Sequence, residues 1–233
     1  MIHIDHVCLG TQNVHEGSYR LTQETGLGCY DGGFFPGMGL SNRIFPTGGD
    51  TYIEVEGVSD AYVLAKGNPI CKFFYDKCRD GDVFIGWCAR VDSRDELDRL
   101  AKRLDAEVVE GGLRRRPDGS MGISARAPET MLCWEAGLPN FFHIADMAGH
   151  PGRGRAEYGT KAAQSIAWLE VGGTEEEMSD HLGMKAGDLG LRFNGQKHGL
   201  YAMGISTDRG EVVIRRPVLS GTSGKISKVR AYL

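Results

Sequence analysis

Residues 51–56 read Thr-Tyr-Ile-Glu-Val-Glu, and in a strand the alternation of side chains puts Glu54 and Glu56 on one face. Carboxyl groups so placed suit acid/base work, and Glu56 is a candidate base, the plainer alternative being a solvated strand end. His150 could swing over a cleft as a proton donor or simply cap a turn. His198 and Tyr201, in Gln196-Lys197-His198-Gly199-Leu200-Tyr201, could supply acid/base groups if their segment covers a cleft, or belong to a surface hairpin. His143 stands in the apolar run Asn140-Phe141-Phe142-His143-Ile144, where an unpaired imidazole is costly to bury, and Glu54 between Ile53 and Val55 poses the same question. Arg114, Arg115 and Arg116 form a basic cluster. Arginine clamps carboxylates through two parallel hydrogen bonds, but on a strand at most two of the three share a face. His3, His15 and His181 are expected at the surface.

Other chemistries find no support. The run Gly32-Gly33-Phe34-Phe35-Pro36-Gly37-Met38-Gly39 lacks the Lys-Ser/Thr ending of a phosphate loop. It reads as an apolar loop, with Phe34, Phe35 and Met38 either walling a cleft or packed on their own sheet. There is no G-x-S-x-G elbow for a serine nucleophile. Six cysteines are scattered without C-x-x-C spacing, so they read as reduced core residues of a cytoplasmic protein. The 233 residues are 41% hydrophobic with a formal net charge of −4, which argues against a disordered chain and against a nucleic-acid binder. No run approaches the roughly 18 apolar residues of a membrane span, and no signal peptide is visible.

The elements that must position these residues come in a repeat. Ile4-Asp5-His6, Ile85-Gly86-Trp87 and Ile166-Ala167-Trp168 each open a unit. Each is followed by a capping residue with Glu three positions on: Asn13 with Glu16, Ser93 with Glu96, Thr174 with Glu177. Helices are therefore expected near 13–25, 93–104 and 174–182, and short strands joined by Gly-rich turns follow each. Three βαβββ units result, at 1–58, 82–147 and 164–233, with a helical connection at 59–81 and a linker at 148–163. One such unit cannot bury its sheet face alone. The expected fold is α+β, with units pairing into a half-open mixed β-barrel around a central cleft, most neighbours antiparallel.

Ile4-Asp5-His6-Val7 and Tyr52-Ile53-Glu54-Val55 resemble the vicinal oxygen chelate superfamily, which includes glyoxalase I, extradiol dioxygenases and fosfomycin-resistance proteins. More narrowly, these strands with Leu138-Pro139-Asn140-Phe141-Phe142 and His150-Pro151 are similar to the glyoxalase-like domain family. The resemblance spans residues 1 to about 155 and extends weakly into the third unit. It implies metal ligands on the first and last strands of the units. Laying unit two over unit one puts Trp87 at the His6 position and His143 at the Glu54 position. The implied ligands are His6, Glu54 and His143, holding a divalent iron, manganese, zinc, nickel or cobalt ion with open positions for substrate. The implied activity is metal-dependent isomerase, lyase or hydrolase chemistry on a small oxygenated molecule that chelates the ion. Extradiol ring cleavage at the same site is one alternative. A metal-free, antibiotic-binding cleft lined by Trp87, Trp134, Phe141 and Phe142 is the other. The expected partners are a small-molecule substrate and a second copy of the chain in a homodimer.

Overall fold

The computed structural model describes residues 1–218. It opens with β1 (Ile2–Thr11), α1 (Val14–Thr25), β2 (Tyr30–Phe35), β3 (Leu40–Gly48) and β4 (Thr51–Val58). Two helices follow, α2 (Ala61–Ala65) and α3 (Pro69–Lys77). The order then repeats as β5 (Val83–Val91), α4 (Arg94–Arg103), β6 (Val109–Arg115), β7 (Met121–Ala127) and β8 (Asn140–His143), with α5 (Thr130–Ala136) inserted before β8. A third run comprises β9 (Ala163–Val171), α6 (Glu175–Leu182), β10 (Leu191–Phe193), β11 (Leu200–Thr207) and β12 (Gly210–Arg215). The end of the expected third unit, residues 219–233, lies outside the described residues.

The capping residues explain where the repeated helices begin. The Asn13 side chain accepts from the backbone N–H groups of His15 and Glu16, and Ser93 accepts from Glu96. Thr174 and Glu177 form the reciprocal capping box. At Ser93 the box is one-sided, because the Glu96 carboxylate pairs instead with the amino group of Met1 at 2.6 Å.

Eight strands close into a barrel in the order β1-β4-β3-β2-β6-β7-β8-β5. β1 and β4 are parallel, as are β5 and β8, and all other neighbours are antiparallel. The first two units thus pair into the expected mixed barrel around a cleft; its strands form a closed ring whose β2–β6 seam is a single pair, Phe34 opposite Arg115. The third run forms a separate sheet, β10-β9-β11-β12, that packs beside β3 and β5.

Alternation divides β1 between two cores. Val7 and Leu9 join Ile53, Val55, Trp87 and Phe141 in the larger core, which reaches the helices and the third sheet. Cys8 joins Cys88, Phe74 and Trp134 in a smaller one. All six cysteines are free and buried. The segment expected as a linker is instead packed on the first unit. It forms short 3₁₀ turns at Met147–Gly149 and Pro151–Arg153, and Pro151 accepts a 2.8 Å hydrogen bond from the Tyr30 hydroxyl. Gly28 admits this approach: a Cβ there would stand 1.5 Å from the Tyr158 carbonyl oxygen.

Candidate active site

The barrel holds a half-open cavity of about 210 Å³. β1 and β4 bring His6, Tyr52, Glu54 and Glu56 to it, and β6 and β7 bring Arg114, Arg116 and Arg126. Apolar side chains from α3 and α5, with Phe142 of β8, complete the wall.

His6 is the best-anchored of these groups. Its ring stacks on Tyr52 at 4.6 Å and meets the edge of Phe142 at 5.5 Å. Its Nδ1 lies 2.7 Å from Asp5 Oδ2, and its Nε2 lies 3.5 Å from Glu54 Oε2. Adjacent strand residues ordinarily face opposite ways. Here the β1–β5 register shifts between Ile4 and His6, a bulge that lets Asp5 reach its neighbour. The other Asp5 oxygen lies 3.0 Å from His150 Nε2 and 3.1 Å from Arg90 Nε. His150 Nδ1 accepts from the Gly152 N–H at 3.0 Å, so Nε2 carries the proton that Asp5 receives.

The electrostatics follow from this wiring. Burial alone would raise the Asp5 pKa, but hydrogen bonds from His150 and His6 outweigh it and hold the carboxyl well below the usual carboxylate range. Burial likewise opposes charge on His6. The Cys88 sulfur and the Asp5 carboxylate more than offset it, raising the imidazole well above its ordinary value. Glu56 goes the other way for a carboxyl: burial and then the neighbouring Glu54 charge push its pKa well up, which favours the protonated form. Glu54 accepts a hydrogen bond from the Asn42 amide, and Cys8 Sγ lies 3.5 Å from Glu56 Oε2.

Several expected site residues lie elsewhere. His143 does not line the cavity; its Nδ1 stands 3.4 Å from the Val91 carbonyl oxygen, and Phe142 takes the inward position on β8. Trp87 and Phe141 belong to the outer core, and Phe141 stacks on His181. The physical reason is register. His6 pairs with Cys88, not Trp87, so the overlay of unit two on unit one is one residue out, and a slip of one turns a strand side chain to the opposite face. The same alternation brings Phe35 and Met38 to the cavity and leaves Phe34 exposed. Arg114 and Arg116 face inward, while Arg115 donates to the Gly119 carbonyl.

His150 is buried beneath Asp5 rather than mobile over the cleft. His198 lies 3.4 Å from Glu177, and the Tyr201 hydroxyl donates to the Lys197 carbonyl at 2.8 Å; neither lines the cavity, because the third sheet packs outside the barrel. His181, expected at the surface, is buried with Nε2 2.7 Å from the Pro139 carbonyl oxygen, and burial lowers its pKa to about 4.

Sequence reasoning assigned no role to Asp5, Arg90 or Arg126. Asp5 and Arg126 carried a usable signal, each being an ionic residue inside an otherwise apolar or small-residue strand. The bulge that turns Asp5 toward His6 had none.

The resemblance implies a divalent metal ion held by His6, Glu54 and His143. The donor set here fits such an ion poorly. His6 and Glu54 meet, His143 is absent from the cavity, and among the described residues no three His, Cys, Asp or Glu side chains group to hold a metal. No helix among those residues is long and apolar enough to cross a membrane.

Comparison with known proteins bears on the fold. The glyoxalase-like domain model matches residues 4–185. A hypothetical protein from Staphylococcus aureus is 13% identical, with a TM-score of 0.55, over 92% of this chain and 85% of its own. Methylmalonyl-CoA epimerase from Mycobacterium tuberculosis is 16% identical, with a TM-score of 0.44, over 63% of this chain and 90% of its own. A Streptomyces coelicolor methylmalonyl-CoA epimerase gives 11% and 0.44, over 62% and 98%. The first likeness speaks to fold; the other two are too loose to add to it. No curated protein matches the chain.

Proposed function

The chain belongs to the glyoxalase-like domain family, and from that premise we propose that it is an enzyme moving a proton on a small oxygenated substrate inside the barrel. The observation that carries this reading is the division of labour between Glu54 and Glu56. Two carboxyl groups that share a buried site cannot both ionise readily, so one is left to give a proton and the other to take one. Glu56, held neutral by burial and by the Glu54 charge, is the acid. Glu54, 3.5 Å from His6 Nε2, is the base.

In the proposed step the Glu54 carboxylate takes the proton from a substrate carbon beside a carbonyl. The C–H electron pair shifts to form the C=C bond of an enol, and Glu56 gives its proton to the carbonyl oxygen. Return of a proton to carbon completes an isomerisation; loss of a neighbouring group gives a lyase outcome. His6, kept cationic by Asp5, lowers the energy of the negative charge as it develops. His150 and Arg90 are positioning residues that act through Asp5. No step is routed through a metal, and ring cleavage by the expected His6/His143/Glu54 set has no assembled ligands to support it.

The test is solvent-deuterium incorporation at the α-carbon of a panel of small 2-substituted acids and ketones, followed by NMR. The expected result is exchange by the wild type that falls at least about a hundredfold in Glu56→Gln, the loss typical of a removed general acid. Ligand binding without exchange across the panel would instead favour the binding-protein reading. Exchange abolished by chelator and indifferent to Glu56→Gln would restore the metal-centred one.

A further inference from the structure

The cavity's β6–β7 wall has a feature that proton transfer leaves unused. Arg114, Arg116 and Arg126 all line it, and among the described residues none of the three has a carboxylate within 4.0 Å. Elsewhere arginines find acids, as Arg20 does with Asp82 and Arg153 with Asp50. Arg116 is held in place by the Gly149 carbonyl at 3.1 Å and the Ser120 hydroxyl at 3.3 Å. Gly122 keeps the space beside it open. A Cβ built there would stand 3.9 Å from Arg116 Nη2 and 4.0 Å from Arg114 Nη2, so both guanidinium groups flank one gap.

Two further donors that line the same cavity are orphaned. Arg126 Nη1 and the indole N–H of Trp134 are buried and have no hydrogen-bond partner, and both residues line the cavity. Buried donors are nearly always satisfied, and an unsatisfied charged one is costly. The nearest acid that could serve Arg126, Glu129, already has both oxygens engaged by the backbone N–H groups of Met131 and Leu132 at the start of α5. Burial lowers the Arg126 pKa, and the Glu129 charge only partly offsets it. The same cavity is also lined by the apolar side chains of Ile70, Phe74 and Met131.

We propose that Arg114, Arg116 and Arg126 form an anion site, and that the substrate is a small organic acid with an apolar body, its carboxylate held by these arginines. The guanidinium fork matches a carboxylate in geometry and in charge. Placement of the substrate's reacting carbon at Glu54 and Glu56 rests on the function proposed above; the anion site itself does not. A phosphate monoester offers the same oxyanion chemistry, and the test separates the two.

Phenylacetate, hexanoate and phenyl phosphate, with the neutral phenylacetamide and hexanamide, are titrated into the purified full-length protein by calorimetry at two salt concentrations. The expected result is that a carboxylate binds at least about tenfold more tightly than its amide, and less tightly at high salt. Arg126→Gln should weaken it by about tenfold or more. Gly122→Asp, which would set a carboxylate between Arg114 and Arg116, should do the same, whereas Gly122→Ala has room for its Cβ and should retain binding. Equal affinity for acids and amides, no binding by either acid, or indifference to Arg126→Gln would overturn the site. Preference for phenyl phosphate over both acids would overturn the carboxylate assignment. Glu56→Gln separates this proposal from the catalytic one, since it should lose proton exchange and keep carboxylate binding. Carboxylates that bind a wild type showing no exchange would sink the acid/base reading and leave the anion site standing.

Discussion

Glu56 shows how burial turns a common side chain into an unusual acid, and the consequence extends to stability. Its folded pKa lies well above the 4.5 of an exposed glutamate, so the folded state binds more protons than the unfolded one and stability falls as pH rises above about 4.5. His6, raised above 6.5, contributes stability that is present below that value and is lost as pH rises through its folded pKa. Asp5, depressed from 3.8, contributes stability that is lost only as pH falls below that value. Denaturant unfolding should therefore show a maximum on the acid side of neutrality. Glu56→Gln, which keeps the neutral shape, should remove the decline that starts near pH 4.5, a slope of at most about 1.4 kcal/mol per pH unit. His150→Ala removes a donor from a carboxylate with no exposure to water, and the same unfolding measurement should show a loss of about 3 kcal/mol.

At the scale of elements, the sequence is most readable where the signal is local. Asn13, Ser93 and Thr174 mark the starts of α1, α4 and α6 within a residue, because a cap satisfies donors that only a helix start exposes. What depends on pairing between distant strands is less readable. Which of Phe142 and His143 faces inward depends on how β8 lies against β5 and β7, and nothing within Asn140-Phe141-Phe142-His143 fixes that register. His143→Ala should thus leave deuterium exchange within about twofold of wild type and cost under about 1 kcal/mol, while Phe142→Ala, which removes the ring packed on His6, should impair exchange. The segment at 148–163 is a similar case. Its Gly and Arg content reads as a linker, but Gly28, 130 residues away from Tyr158, is what allows it to pack. Gly28→Ala should lower the melting temperature, with a cost of about 1–3 kcal/mol or more from overpacking.

Across the whole molecule, repetition explains both what could be inferred and where inference failed. Two βαβββ runs close one barrel, and the chain needs no third run to complete it; the last run packs outside and takes His198 and Tyr201 with it. The two barrel halves are alike in backbone and unlike in chemistry. The first supplies His6, Glu54 and Glu56, and the second supplies the arginines, with Cys88 and Phe142 on its inward faces. Laying one half over the other therefore brings His6 and Glu54 to the cavity but not His143. The asymmetry places carboxyl groups and arginines around one cavity, which is what the proposed reaction uses.

The proposed reaction requires Glu56 to stay protonated beside Glu54 in the folded barrel. Carboxyl-carbon NMR of protein labelled at glutamate, titrated from acid to alkaline pH, measures this directly. One resonance, absent from Glu56→Gln, should keep the chemical shift of a protonated carboxyl through neutral pH and titrate only well above it. If every glutamate resonance instead titrates in the ordinary carboxylate range, Glu56 has no proton to give at neutral pH and the account fails.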